Sequence, residues 1–190
     1  TNSSDWLGVA YGELLHNSLR QRPEVISTNP FILSVNYEKY GAVRFGAINF
    51  ATKRKVAEKV SLDYFIAVKH TSEEGNYALE GSMFQTSDGR EVLKLSAEAD
   101  NAFEAVDQLK AQIDEYLPAF EDENMQVTTL PSSALITDSE EALEAYMKGW
   151  SSFQLRLDDL PTSIAYFQES VNKDANCASC AYSLGDKYYG

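Results

Sequence analysis

The sequence predicts an α/β sandwich built on a mixed sheet, followed by an all-helical segment. Three observations lead there. Up to Leu117, short apolar runs bounded by turn residues alternate with amphipathic stretches. Two of those runs flank Ser87-Asp88-Gly89 and read as a β-hairpin. Residues 139–190 carry helical periodicity and no strand signal. The expected division is an α/β domain over 1–117, an acidic linker over 118–138 and a helical segment over 139–190.

Each element has its own signal. Asp5 caps a helix with Trp6, Ala10, Leu14, Leu15 and Leu19 on one face, and Pro23 ends it. Val25-Ile26 read as a short buried strand. Asn29-Pro30 and Gly41 read as breakers, and Val43 to Phe50 as a strand or an irregular loop. Thr52 is the expected N-cap of a helix over Lys53 to Val60. The dense run Tyr64 to Val68 is a strand. Gly75-Asn76 is a turn, and Tyr77, Leu79, Gly81 and Met83 alternate as a half-exposed strand would. Val92 to Leu95 follow the second turn. Asp100 or Asn101 then caps a helix with the stripe Phe103, Val106, Leu109, Ile113 and Leu117, which Pro118 stops. The order helix, strand, helix, strand, hairpin strand, helix suggests the mixed sheet. Three helices follow, near 139–156, 161–173 and 177–189, with antiparallel neighbours.

Composition narrows the function classes. The chain has 190 residues, 44% hydrophobic and 12% aromatic, enough for a real core. Its formal net charge is −13. That balance repels phosphate backbones and anionic membrane surfaces, so neither is an expected partner. From Glu98 to Glu144 there are thirteen Asp or Glu and one basic residue, Lys110. Solvated helix faces and linker explain this run; an acidic surface for a basic partner is the sharper reading. No apolar run is long enough for a membrane span. Both ends read as cut from a longer chain.

Catalytic signals are sparse. No phosphate loop, metal quartet or Ser/His/Asp order stands out, and the expectation is a non-enzymatic chain without a cofactor. His16 and His70 read as surface or edge residues. Cys177-Ala178-Ser179-Cys180 is the sharpest local motif. A CxxC at a helix start can hold a disulfide or a thiolate favoured by the helix N-terminus. A structural pair, buried or bonded, is the plain reading; redox sensing and an oxidoreductase are the alternatives.

The helical segment resembles a tetratricopeptide repeat, whose period is 34 residues. With Phe167 at the aromatic position of the repeat, Ser163 and Ser170 fall at its small positions. Leu184-Gly185 and Tyr188 then fall at the Leu-Gly and aromatic positions of the next repeat. Ser163, Ser170 and Ala175 depart from the usual Ala, Ala and Pro. Gly149 lies two residues early for the preceding helix.

The rest is similar to the domain called TolB-N-like. The similarity is carried by Asp5-Trp6-Leu7-Gly8, by the step Val56 to Tyr64, by the hairpin Asp88 to Leu93 and by the helix to Leu117. Thr137 to Ala142 and Ala145 to Gly149 are similar to the segment that leads into the repeats of the same proteins. The resemblance implies the periplasmic sensing and protein-interaction region of a membrane-anchored bacterial signalling protein. Its effector would be a winged-helix regulator of the CadC type, a Ser/Thr kinase or an adenylate cyclase. It also implies an opening strand before the first helix, which nothing ahead of Asp5 supplies. A protein or peptide partner is expected. A homodimer through the C-terminal helices, using Tyr182, Tyr188 and Tyr189, is a further expectation, and a small-molecule site at the strand ends is the alternative.

Overall fold

The computed structural model describes residues 5–41, 48–73, 75–117, 129–155 and 160–189. Seven α-helices and one sheet are seen among them: α1 (Asp5–Leu19), α2 (Pro30–Glu38), α3 (Phe50–Lys59), β1 (Tyr64–Glu73), β2 (Asn76–Gln85), β3 (Glu91–Ala99), α4 (Ala102–Tyr116), α5 (Glu140–Leu155), α6 (Leu160–Lys173) and α7 (Ala178–Tyr189). The chain therefore mixes α and β structure, with an all-helical C-terminal part.

The sheet is not mixed. β1, β2 and β3 run in sequence order, and both pairings are antiparallel. Two tight hairpins connect them, and no crossover helix separates consecutive strands, so none can run parallel. β2 is central and carries Gly81 where β1 crosses closest. A Cβ there would lie 2.1 Å from the Ala67 carbonyl oxygen, so only glycine fits.

Helix starts correct two expectations. Asn29-Pro30 begins α2 rather than breaking the chain: Phe31 N donates to Asn29 Oδ1 at 2.8 Å, and Pro30 sits in the first turn, where its missing N–H costs nothing. α3 starts earlier than expected, at Phe50, because Asn49 is its cap and accepts from Thr52 N at 2.9 Å. Val25-Ile26 form no strand. Val25 N closes a turn onto the Arg22 carbonyl, and Ile26 is 92% exposed. The helix after β3 is capped by Asn101, which accepts from Glu104 N at 2.8 Å. The expected segments 43–47, 118–128 and 156–159 lie outside the described residues.

The core is continuous. Leu79, Met83, Leu95 and Ala97 from the sheet join Val106, Leu109 and Ile113 from α4 and Leu7, Ala10 and Leu14 from α1. The same cluster runs on through Leu143 and Met147 of α5 to Phe167 of α6 and to Cys177 and Cys180. α1 is thus buried against α4 on one side and α5 on the other. Polar ties repeat the join. The Glu140 carboxylate accepts from Ala102 N at 2.6 Å and from the Tyr77 hydroxyl at 3.0 Å. Ser132, in a single 3-10 turn over Ser132–Ala134, meets Ser18 Oγ at 2.9 Å and donates to Asp107 at 2.6 Å. The end of the acidic stretch is therefore packed onto α1 and α4.

This shared core predicts one cooperative unit. Leu14→Ala should cost about 2–5 kcal/mol, the usual range for emptying a fully buried leucine site. Urea unfolding followed by tryptophan fluorescence and by far-UV circular dichroism should give coincident transitions in both proteins. Separated transitions would show the helical part folding alone.

Candidate binding cleft between the two parts

The residues singled out in the C-terminal helices come together. Ser163, Phe167 and Ser170 share the buried face of α6. Phe167 packs against Gly149 of α5, where a Cβ would lie 2.7 Å from the ring. Ser163 Oγ donates to the Gly149 carbonyl at 2.8 Å, and Ser170 Oγ to the Ala142 carbonyl at 2.7 Å. Small residues at these places let α5 and α6 approach closely, and the hydroxyls satisfy carbonyls that the approach desolvates. Leu184 is packed against the same core, Gly185 has open space beside it, and Tyr188 is exposed.

Cys177 and Cys180 are joined in a disulfide at the start of α7. Both are buried, and Cys180 Sγ lies 2.9 Å from Ser170 Oγ. The bond closes the first turn of α7 on itself, and the two sulfurs pack into the core shared with α5 and α6. It faces the core rather than solvent.

His16 is a core residue, not a surface one. It lies on α1 with 5% exposure, its Nδ1 2.9 Å from Ser27 Oγ. Burial, helped by the nearby Arg20 charge, lowers its pKa to about 4. His70 lies within β1, half-buried, its ring 5.5 Å from that of Tyr11.

A cleft that sequence reasoning missed opens where α1, α2 and α5 meet. It is a depression of about 350 Å³, open to solvent, lined by Glu13, Asn29, Phe31, Ile32, Val35, Tyr146 and Trp150. Among the described residues that line it, Glu13 is the one with a charged side chain. Asn17 Nδ2 donates to one carboxylate oxygen at 3.0 Å and Asn29 Nδ2 reaches the other at 3.4 Å. Burial raises the pKa of Glu13, with the Asn17 hydrogen bond and Arg20 pulling the other way. Trp150 forms the aromatic wall. Its ring lies 5.3 Å from Phe31 and 6.4 Å, edge-on, from Tyr146. Lys187 of α7 sits over Phe153 at 3.8 Å and over Trp150 at 5.2 Å, so the wall is braced from α7. Phe31 occupies the second position of an Asn-Pro helix start, which is the signal that could have placed it here.

A carboxylate among π faces favours an occupant that is cationic and partly apolar. Among the described residues, no group of three His, Cys, Asp or Glu side chains is placed to hold a metal ion, and no helix is long and apolar enough to cross a membrane.

Two tests follow from these positions. The unfolded chain protonates His16 near pH 6.5, whereas the folded chain resists protonation until about pH 4. His16 therefore withdraws stability as pH falls through that window, by up to about 1.4 kcal/mol per pH unit. Urea midpoints measured from pH 7 to pH 4 should fall less steeply in His16→Gln than in the parent. For the disulfide, dithiothreitol should reduce the native protein slowly and the urea-unfolded protein fast, since both sulfurs are buried. Replacing both cysteines by serine should cost about 2 kcal/mol, the scale for closing so short a loop. Rapid reduction of the native state would instead favour redox sensing.

No family model matches the chain, and no curated protein or solved structure matches it significantly.

Proposed function

We propose that this chain is a non-catalytic sensing and protein-interaction region in which a small organic cation is received at the cleft between its two parts. The observation that carries the reading is the composition of the cleft wall. Glu13 comes from α1, Phe31 from α2, and Tyr146 and Trp150 from α5, so one occupant touches both parts. A ligand that binds across such a joint stabilises one relative arrangement over others, which is what a sensor requires.

The interaction role is supported by the helical end. α5, α6 and α7 pack in sequence order, with Gly149 and Ser163 at the close approach of α5 and α6. Tyr182, Tyr188 and Tyr189 leave α7 with an exposed aromatic face suited to a protein or peptide partner. The setting in the periplasm, attached to an upstream membrane anchor and effector, rests on the order of motifs resembling the TolB-N-like and tetratricopeptide arrangement. The disulfide agrees with an oxidising compartment.

Thermal-shift measurements against a panel of small amines, quaternary ammonium compounds and matched neutral analogues test the ligand role. The expected result is a rise in melting temperature with cations alone, because a ligand bound only by the native state stabilises it. Trp150 fluorescence should respond to the same compounds, and Glu13→Gln should weaken binding about tenfold or more, the scale of a lost charge-assisted contact. A panel with no shift, beside capture of a peptide or protein partner, would leave the interaction role and remove the ligand role.

A further inference from the structure

The outer edge of β3 is occupied in an unusual way. Gln112 of α4 accepts from Ser96 N at 3.2 Å and donates to the Ser96 carbonyl at 2.7 Å. Gln108 does the same for Glu98, accepting from its N–H at 3.1 Å and donating to its carbonyl at 3.0 Å. Each side-chain amide thus makes both hydrogen bonds that a residue of a neighbouring antiparallel strand would make. The spacing permits it: four helix residues rise about 6 Å, and two strand residues about 6.8 Å. Together the two glutamines stand in for a short fourth strand.

We propose that this edge is a gated surface for a second copy of the chain, on which β3 pairs antiparallel with its counterpart about Ser96 once the glutamines swing aside. The backbone selects the partner's chemistry, since Ser96 and Glu98 turn their N–H and carbonyl groups away from β2. By the period of two, Lys94 does the same, because its pairing with Ser82 is regular.

Charge selects the register. Pairing about Ser96 places Lys94 opposite Glu98 of the other copy, twice. Pairing about Lys94 or about Glu98 would oppose like charges directly. Lys94, Ser96 and Glu98 are exposed, so these pairs form on the open face, away from α4. Glu98 also accepts from Asn76 at 2.8 Å through one oxygen, which leaves the other for Lys94. The result is a continuous six-stranded sheet across a two-fold axis. The glutamine bonds are solvent-exposed and individually weak, so they are displaceable and keep the free chain closed.

Sedimentation equilibrium over a wide concentration range tests this with four proteins. Gln108→Ala/Gln112→Ala should dimerise at least about tenfold more tightly than the parent, the scale of two competing hydrogen-bonding groups per copy. Lys94→Glu added to that background should return it to monomer. Adding Glu98→Lys as well should restore the dimer, which an effect of misfolding could not do. A double-alanine protein that stays monomeric at every concentration overturns the proposal. So does a dimer indifferent to the charge changes, since it would be built on another surface such as the α7 tyrosines. Far-UV circular dichroism checks that all four fold. If the double alanine does not, Gln108→Ser/Gln112→Ser, whose short side chains cannot span to the β3 edge, takes its place with the same expected order.

Discussion

The structure depends on α1 being buried from two sides. A helix that covers one sheet needs one apolar stripe. α1 carries Leu7, Val9, Ala10, Tyr11 and Leu14 as buried residues, with Trp6 and Leu15 packed beside them, so its apolar surface wraps well beyond one face. The excess is covered by α5. That second contact turns an α/β layer and a helical hairpin into one core, and it determines where the cleft can form. Glu13 stands on α1 where neither burial is complete, and α2 and α5 close around it.

Polar residues follow the same logic. At the joint, several polar groups find partners across it: Glu140 with the start of α4 and Tyr77, and Ser132 with Ser18 and Asp107. Such bonds contribute modestly when made and cost more when left open. They therefore specify how the parts meet more than they hold them together, while the apolar contacts of α1 supply the larger share.

Much of the fold is legible in the sequence because periodicity is local. The stripe of α4, the strand runs around Gly75 and Gly89, and the three C-terminal helices are all read from neighbouring residues. What fails does so for identifiable reasons. Asn29-Pro30 carries both a breaker signal and a helix-start signal, and only the side-chain acceptance by Asn29 decides between them. The antiparallel order of the sheet was implicit in two consecutive tight turns, but a separate strand at Val25-Ile26 suggested a crossover that does not exist. His16 sits at a helical position whose burial depends on a second partner for α1. The cleft was not legible at all, since Glu13, Phe31 and Trp150 become neighbours only through that packing. The cysteine pair was legible as a structural motif, buried or bonded, and only its contact with Ser170 was not.

The placement of Trp150 links the two parts chemically as well as mechanically. One ring neighbour is Phe31, which belongs to α2 and lines the cleft; another is Phe167, which is fully buried on α6 at 5.7 Å. Lys187 covers the same ring from α7. An occupant seated on Glu13 therefore touches a side chain whose other contacts reach every C-terminal helix, with no loop between them. Packed aromatic clusters do not deform smoothly, because each ring has few arrangements that avoid a void or a clash. A change at the cleft would thus be carried to α7 as a change in how Lys187 is seated. That would give the exposed tyrosines of the same helix a physical connection to the proposed ligand, and would join the proposed sensing and interaction roles through one packed cluster.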